Sequence, residues 1–182
     1  MPTKTPDIAI HRLGSQQIAA PQFKRVEQVV AGLGAMQAQD FGGGKWAIGL
    51  RMPNATEADI DRAISEKRII RTWPMRGTLH FVAAQDVHWM RALLTPRILA
   101  GSTKRHLALE LDIPTFARCE KYFIKALRGG KQLTREALYA VLEKNGISTS
   151  GPRNYHIIWR LAQEGLLCFG AHEGKQATFA LL

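Results

Sequence analysis

Two glutamines separated by one alanine, Gln37 and Gln39, are the residues of this sequence whose types and spacing first suggest chemistry. A primary amide cannot ionise, but it donates hydrogen bonds through its NH2 group and accepts them through its carbonyl oxygen. Two such groups can position a water molecule at a reacting centre, although they can barely activate it. Asp40 follows directly as a rival carboxylate, and we rank it below Gln39.

The spacing of the two amides restricts the backbone that carries them. Residues two apart in an α-helix point about 200° away from each other, so both amides can face one substrate only where the chain is extended. A helix predicted over residues 22–36 ends beside them, and the glycine run after Phe41 is expected to break the structure. The negative end of that helix would favour a positively charged group nearby. From these two residues alone, the favoured interpretation is a pair of polar residues that cap a helix end.

The first half of the chain alternates helical and β-rich patterns. We predict helices over residues 7–20 and 22–36, a helix that starts at Thr56, and another over residues 86–100. Strands around residues 69–76 and 78–82 flank Gly77 and read as a hairpin. Trp46 and Trp73 are expected in the core, and His80 as a structural histidine in a strand.

The second half repeats this order more clearly. Thr134 begins a helix that Gly146 ends, and Pro152 begins another whose core face is Tyr155, Ile158, Leu161 and Ala162. Strands over residues 166–169 and 176–181 then flank a short tip. Helix, turn, helix and hairpin is the order of a winged helix. We therefore predict a mainly α structure with small β-hairpin wings (an α+β fold), built from tandem winged-helix domains at residues 1–100 and 101–182.

The charge balance suggests a polyanionic partner. The formal net charge is +10, and the basic residues are spread over both halves. Such an excess usually serves nucleic acid, with an acidic membrane surface as the second candidate. In a helix-turn-helix the second helix enters the major groove of duplex DNA. The side chains that we expect to contact DNA are Lys45, Arg71, Arg76, Arg153, Asn154, His156, Arg160 and Lys175.

Each of these assignments has an alternative. The basic side of the second helix can be an ordinary solvated face, and Arg71 and Arg76 can pair with nearby acids as well as with phosphates. Other function classes find little support in the sequence: it shows no apolar stretch long enough to cross a membrane and no secretory signal. Cys119 and Cys168 lack metal-type spacing and read as buried thiols in a reduced, cytoplasmic protein associated with the nucleoid. No cofactor or metal is implied.

Two stretches of this sequence resemble a known family. They are Met-Gln-Ala-Gln-Asp at residues 36–40, followed by Lys-Trp-Ala-Ile-Gly-Leu-Arg at 45–51, and Arg-Thr-Trp-Pro-Met-Arg-Gly-Thr-Leu-His at 71–80. Together they resemble the AlkZ/YcaQ-like family of winged-helix DNA glycosylases. The family's catalytic motif is Gln, an apolar residue, then Gln or Asp, and it maps onto Gln37, Ala38 and Gln39. The Gln-x-Gln version resembles the branch linked to self-resistance against DNA-alkylating natural products.

The resemblance implies excision of alkylated bases and crosslinks from duplex DNA. Members of the family carry a third winged helix and a C-terminal β-barrel, so this chain is expected to correspond to their N-terminal half. Two amides suit this chemistry when the leaving base already carries a positive charge, because such a base departs readily without a strong general base. We expect a monomer if the protein is a glycosylase. The alternatives are a DNA-binding module without chemistry, such as a transcription regulator that dimerises, and a protein-interaction scaffold.

Overall fold

The structure, a computed structural model, describes residues 7–182. Within that range the chain forms an α+β fold of eight helices and six strands. The helices are α1 (Ile8–Ser15), α2 (Val26–Gly32), α3 (Phe41–Gly49), α4 (Glu57–Ser65), α5 (Val87–Ala108), α6 (Ile113–Leu127), α7 (Arg135–Lys144) and α8 (Arg153–Gln163). The strands are β1 (Met36–Gln37), β2 (Ile69–Met75), β3 (Thr78–Ala83), β4 (Leu133–Thr134), β5 (Leu167–Phe169) and β6 (Thr178–Leu181).

The same order of elements occurs twice. Helix, strand, two helices and a hairpin follow one another from α2 to β3 and again from α6 to β6. In each unit the short first strand pairs with the last strand, as Met36 does with Phe81 and Leu133 with Phe179. The long helix α5 connects the two units.

All six strands belong to one antiparallel sheet, in the order β1-β3-β2-β5-β6-β4. The two units meet where β2 pairs with β5, at Arg71 opposite Phe169. Sequence analysis predicted two separate hairpins and did not foresee this shared sheet. The predicted boundary after residue 100 lies inside α5, and the division into two domains stays a prediction.

The apolar cores follow this arrangement. One cluster fills the space between α2, α3, α4 and the β1–β3 edge, and a larger one lies under α6, α7, α8 and the second hairpin. Trp73 on β2 belongs to the larger cluster, where its ring lies 5.0 Å from that of Phe169. The predicted burial of Trp73 is therefore confirmed, and the core crosses from one unit to the other.

Several predicted helix ends are confirmed by their caps. Thr56 and Asp59 form a reciprocal capping box at the start of α4, with both bonds present. Asp7 and Thr134 accept hydrogen bonds from the first turns of α1 and α7. The hairpin of β2 and β3 turns at Arg76 and Gly77, which both have positive φ.

The helix predicted over residues 22–36 is much shorter than expected. It spans Val26–Gly32, because Gly34 adopts a φ of 76° and turns the chain into β1. The first helix likewise ends at Ser15 instead of continuing to residue 20, since Gln17 adopts a φ of 57°.

The prediction that the glycine run breaks the structure is wrong, because Gly42, Gly43 and Gly44 lie in the first turn of α3. Asp40 caps that helix by accepting a hydrogen bond from the Gly43 amide at 3.1 Å. A Cβ atom on Gly44 would lie 3.0 Å from the Phe81 ring and 3.2 Å from the Gln37 carbonyl oxygen. These glycines therefore permit a close approach between α3 and β1.

Helix α5 continues eight residues beyond the predicted end, to Ala108, and includes Pro96 and Gly101. Two side chains predicted to be buried are exposed instead: Trp46 at 68% and Tyr155 at 40%. Trp46 lies on α3, a helix that the sequence did not predict.

Candidate functional site

Gln37 and Gln39 lie on an extended segment at the edge of the sheet. Gln37 is opposite His80 in the β1–β3 pair, and the Ala38 amide donates to the Leu79 carbonyl at 2.9 Å. Alternate residues of an extended chain point to the same side. Both glutamines are exposed, whereas Ala38 between them is buried. β1 ends at Gln37 and Gln39 lies in the bend that follows it, so the two residues stand at the end of an edge strand and not at a helix end.

The two amides are held differently. The Gln39 side chain accepts a hydrogen bond from the Leu79 backbone amide at 2.8 Å. A backbone N–H can only donate, so the atom facing it is Oε1, and the Gln39 NH2 group remains available as a donor. Among the residues that the structure describes, no protein group hydrogen-bonds the Gln37 amide, which can accept and donate.

A groove of about 640 Å³ runs past both glutamines. Its lining also includes Asp40, residues of the first turn of α3, Gln16 and Arg51. The Asp40 carboxylate is engaged at the start of α3, as described above, and is the acidic residue of the lining. We call this feature the glutamine groove.

The electrostatic setting differs from the one that the sequence suggested. The expected neighbour was the negative end of a helix, whereas the segment leads into the positive N-terminal end of α3. The Asp40 carboxylate offsets that end. A positively charged group near Gln39 is therefore favoured by this carboxylate, and not by a helix C-terminus.

Arg71 contacts the segment that carries Gln37 and Gln39 from the interior of the protein. Its Nε and Nη2 groups donate to the Ala38 carbonyl at 3.1 and 2.8 Å, and its guanidinium lies against the rings of Phe41 and Phe169. Burial lowers the pKa of Arg71 to about 10. Arg71 therefore pairs with no acidic side chain among the described residues, and both of its hydrogen bonds go to a backbone carbonyl. It holds the backbone between the two glutamines.

Lys45 is buried as well, and its ammonium group is engaged by two carboxylates. It forms ion pairs with Glu57 and, at 2.9 Å, with Asp61. Burial alone would lower the pKa of Lys45, but the hydrogen bonds to these two carboxylates outweigh it and raise the pKa. Contact between Lys45 and DNA stays a prediction, and it would require a phosphate to compete with these two acids.

The four side chains of α8 that we expect to contact DNA are each partly exposed. Arg153 donates to the Ser148 carbonyl at 2.9 Å and the Glu110 carbonyl at 3.2 Å, and Arg160 donates to Glu164 at 2.7 Å. His156 is half-buried, and its pKa is lowered by burial and by the charge of Arg105. The Asn154 side chain accepts from the Tyr155 amide. The arginines are therefore partly engaged before any ligand binds.

Two of the side chains that we expect to contact DNA lie in hairpin turns. Arg76 is exposed at the turn between β2 and β3, and Lys175 is exposed at the tip between β5 and β6. Within the same tip, the ring of His172 stacks on Phe41 with centroids 4.0 Å apart. The tip of the second unit thus packs against the start of α3, next to the glutamine segment. Sequence analysis missed His172, because nothing in the sequence indicates this long-range contact.

Sequence analysis also missed Arg51 as a member of the groove. It lies at the end of the family-like stretch over residues 45–51, which was the available signal. Arg51 donates to the Gln16 carbonyl and to its side-chain oxygen, at 2.9 and 3.0 Å. It therefore connects α3 to the end of α1.

Residues 7–182 contain no group of three or more His, Cys, Asp or Glu side chains arranged to hold a metal ion. No helix of that range is both long and apolar enough to span a bilayer.

Comparison with known proteins gives consistent matches. A curated relative, the interstrand DNA cross-link repair glycosylase of Streptomyces sahachiroi, is 25% identical over 170 residues, which is 84% of this chain and 42% of that protein. The solved structure of the Streptomyces sahachiroi DNA glycosylase AlkZ superposes with a TM-score of 0.76 at 22% identity. That superposition covers 93% of this chain and 47% of the solved one, so the chain spans less than half the length of these relatives.

The match to the family profile covers most of the chain. Residues 30–182 match the family described as "DNA glycosylase AlkZ-like". This range contains the glutamine segment, Arg51, Arg71 and both hairpins. The chain therefore belongs to the AlkZ-like DNA glycosylase family.

Proposed function

We propose that this chain binds duplex DNA and carries the base-excising residues of a glycosylase that removes alkylated, positively charged purines or crosslinked bases. The observation that carries the proposal is the pair of exposed amides, Gln37 at the end of β1 and Gln39 in the bend that follows, which line one groove. The named relative is an interstrand DNA cross-link repair glycosylase, which supports the substrate class.

The proposed architecture is a pair of winged helices. The repeated order of helix, strand, two helices and hairpin supports it, with α4 and α8 as the second helices of the two helix-turn-helix units. Helix α8 carries the partly exposed side chains of Arg153, His156 and Arg160 and is the DNA-facing helix. Lys175 in the adjacent tip contacts a neighbouring phosphate.

Helix α4 does not face the DNA in this proposal. Its polar face carries Glu57, Asp59 and Asp61, with Arg62 as its basic residue. A phosphate backbone against this face would meet carboxylates, and the repulsion would weaken binding. DNA therefore contacts the first unit along the glutamine groove, which α3 lines, and α4 faces away from the duplex.

The two amides divide the work of positioning water. The Gln37 carbonyl oxygen accepts a hydrogen bond from the attacking water and orients it toward the anomeric carbon. Gln39, held through Oε1 by the Leu79 amide, presents its NH2 group to a deoxyribose or phosphate oxygen. Asp40 provides the negative charge near the positive charge that develops on the sugar.

This arrangement suits a cationic leaving base. Neither amide can ionise, so neither supplies the strong general base that hydrolysis of a neutral nucleoside needs. A purine alkylated at a ring nitrogen already carries the positive charge that its departure relieves. The expected activity is therefore rapid on 7-methylguanine and negligible on unmodified guanine.

The test is base release from duplex DNA that contains 7-methylguanine. We would compare this chain, a longer natural protein that contains it, and the Gln37→Ala and Gln39→Ala variants of both. Release that falls at least tenfold in each variant supports the proposal. The exposed Gln28→Ala substitution on α2 is the matched control and should leave release unchanged. Full release by both variants would remove the glutamines from the mechanism.

The second candidate is a DNA-binding module without chemistry, such as a transcription regulator. One observation favours it: the Gln39 oxygen is already bonded to the sheet edge, as a purely structural residue would be. A regulator of this fold binds paired half-sites as a dimer. Tight, dimeric binding to one selected sequence, with no base release by the longer protein, would decide for it. A monomer that binds all duplexes equally would decide against it.

A further inference from the structure

Arg51 is a buried cation whose hydrogen-bond partners are all neutral. It is 6% exposed and lines the glutamine groove at the end opposite Asp40. Its guanidinium donates to the Ala47 carbonyl at 2.6 Å and to two oxygens of Gln16. Within residues 7–182 no carboxylate lies within ion-pair distance of it. Burial accordingly lowers the pKa of Arg51.

This arrangement is unfavourable unless another partner exists. A buried charge is normally matched by an opposite one, as Lys45 is by Glu57 and Asp61. Closing the C-terminal end of α3 at Ala47 uses one N–H group of the guanidinium. Gln16 holds the other two bonds, and a neutral isostere could make a similar contact without a buried charge.

The helix next to Arg51 is weakly held. None of the residues of α1 is buried, and Gln16 at its C-terminal end bonds to Arg51. Ile8 and Ile10 are more than half exposed. A segment with so little buried surface opens at a small cost in free energy.

From these observations we infer that Arg51 binds a backbone phosphate of the duplex that occupies the glutamine groove, and that Gln16 holds the same N–H groups in the protein without DNA. The inference rests on the proposed function, since it assumes that duplex DNA lies in this groove. A phosphate supplies the missing negative charge, and its bidentate, charge-assisted bonds are stronger than those to a neutral amide.

The distance between Arg51 and the glutamine segment limits which phosphate of the duplex Arg51 can bind. At a rise of about 1.5 Å per residue, Asp40 and Arg51 lie roughly 15 Å apart along α3. A base pair advances the duplex by about 3.4 Å, so the phosphate is up to about four or five base pairs from the nucleotide at the glutamines. Arg51 is then a DNA-positioning residue and not a catalytic one.

The test measures binding alone, with an undamaged duplex so that base release does not interfere. The dissociation constant is measured at several salt concentrations for the wild-type chain, Arg51→Gln and Gln16→Ala. We expect Arg51→Gln to reduce the slope of log K against log salt by about 0.9, the value for one phosphate contact. Gln16→Ala should keep the slope and raise the affinity roughly two- to tenfold, because it removes one competing neutral hydrogen bond.

The matched control is Arg62→Gln on the acidic helix α4, which removes an equal charge and should leave the slope unchanged. An unchanged slope in folded Arg51→Gln overturns the inference and leaves Arg51 as the C-terminal cap of α3. If Arg51→Gln does not fold, Gln16→Ala decides, and an affinity equal to or below that of the wild type overturns the inference. A wild-type chain whose binding has no salt dependence would contradict the proposed function itself, which keeps the two failures distinct.

Discussion

At the residue scale, Arg71 connects the two halves of the sheet to the glutamine segment. Its two hydrogen bonds converge on the Ala38 carbonyl, and its ring neighbours come from α3 and β5. A shorter side chain at this position would leave the carbonyl unpaired inside the protein. The location of both amides therefore depends on a residue that touches neither of them.

We predict that Arg71→Gln lowers the free energy of unfolding by roughly 2–4 kcal/mol, since a buried carbonyl loses its donors and the packing between two rings is lost. Urea denaturation measures the change. Arg76→Gln, at an exposed turn one strand end away, should stay within about 0.5 kcal/mol of the wild type. Equal stabilities for the two variants would contradict the role given to Arg71.

The sequence could predict the types of these residues but not their partners. Lys45, Arg51 and Arg71 all read as basic residues near a family-like motif, and basic residues are usually exposed. Their burial follows from the packing of α3, α4 and the two hairpins, which the one-dimensional pattern does not contain. The pair Gln37 and Gln39 could be picked out through its resemblance to a family motif, whereas the bend that carries Gln39 could not be predicted from its spacing.

At the scale of elements, the contact between α3 and β1 depends on Gly44. An added Cβ would come within 3.2 Å of the Gln37 carbonyl oxygen, which is backbone and cannot rotate away. Sequence analysis took these glycines as a break because glycine is a poor helix former. The tertiary contact outweighs that propensity, which amounts to about 1 kcal/mol per residue.

We predict that Gly44→Ala destabilises the protein by roughly 1–2 kcal/mol, because overpacking against β1 exceeds the gain in helix propensity. Gly42→Ala is the matched control, since its Cβ would meet Asp40 at an ordinary 3.7 Å. That substitution should stabilise the protein by up to about 1 kcal/mol. Thermal unfolding of the pair, followed by circular dichroism, checks both signs, and stabilisation by both variants would refute the close approach.

The junction of α5, α6 and α8 contains a second testable feature, His106. Its ring is buried beside Phe116, His156 and Trp159, and both ring nitrogens lack a hydrogen-bond partner among the described residues. Burial, with smaller contributions from the charges of His156 and Arg160, lowers the pKa of His106 to about 4. The imidazole is therefore neutral in the folded protein at physiological pH.

This pKa predicts a loss of stability in mild acid. Above pH 6.5 the imidazole is neutral in both the folded and unfolded states and has no effect. Between pH 6.5 and about 4 the unfolded chain binds a proton that the folded protein does not bind. The free energy of unfolding therefore falls by up to roughly 3 kcal/mol over this range and stays constant at lower pH. We expect His106→Phe to lose most of the decrease between pH 7 and pH 5, measured by urea denaturation. An identical decrease in variant and wild type would place the sensitive group elsewhere.

At the scale of the whole molecule, the two similar units share one sheet, and Trp73 of the first unit belongs to the larger apolar cluster under the second. The joining contact pairs residues 71 and 169, which are far apart in sequence, and local patterns cannot reveal it. Each hairpin, by contrast, was predictable from its own turn and alternation. This explains why the order of elements agrees with the sequence while the arrangement of the two units does not follow from it.

Gln163 of the second unit is hydrogen-bonded to the first unit in the interior of the protein. It is 1% exposed; its NH2 group donates to the Trp73 carbonyl at 2.9 Å, and its side-chain oxygen accepts from Thr95 at 3.1 Å. Arg91 on α5 donates to its backbone carbonyl at 3.2 Å. One residue of α8 thus bonds to β2 of the first unit and to the connecting helix.

We therefore predict that the chain unfolds in a single cooperative transition, and that Gln163→Leu lowers its stability by roughly 2–4 kcal/mol, because two buried polar groups lose their partners. Intrinsic tryptophan fluorescence and far-ultraviolet circular dichroism should give coincident urea curves for both proteins. The exposed Gln85→Leu substitution is the control and should leave the midpoint nearly unchanged.

If the units instead fold independently, as a division at residues 1–100 and 101–182 allows, two transitions would appear, and Gln163→Leu would shift one more than the other. The shared sheet favours the single transition, because separating β2 from β5 would expose Trp73 and Phe169 to water together.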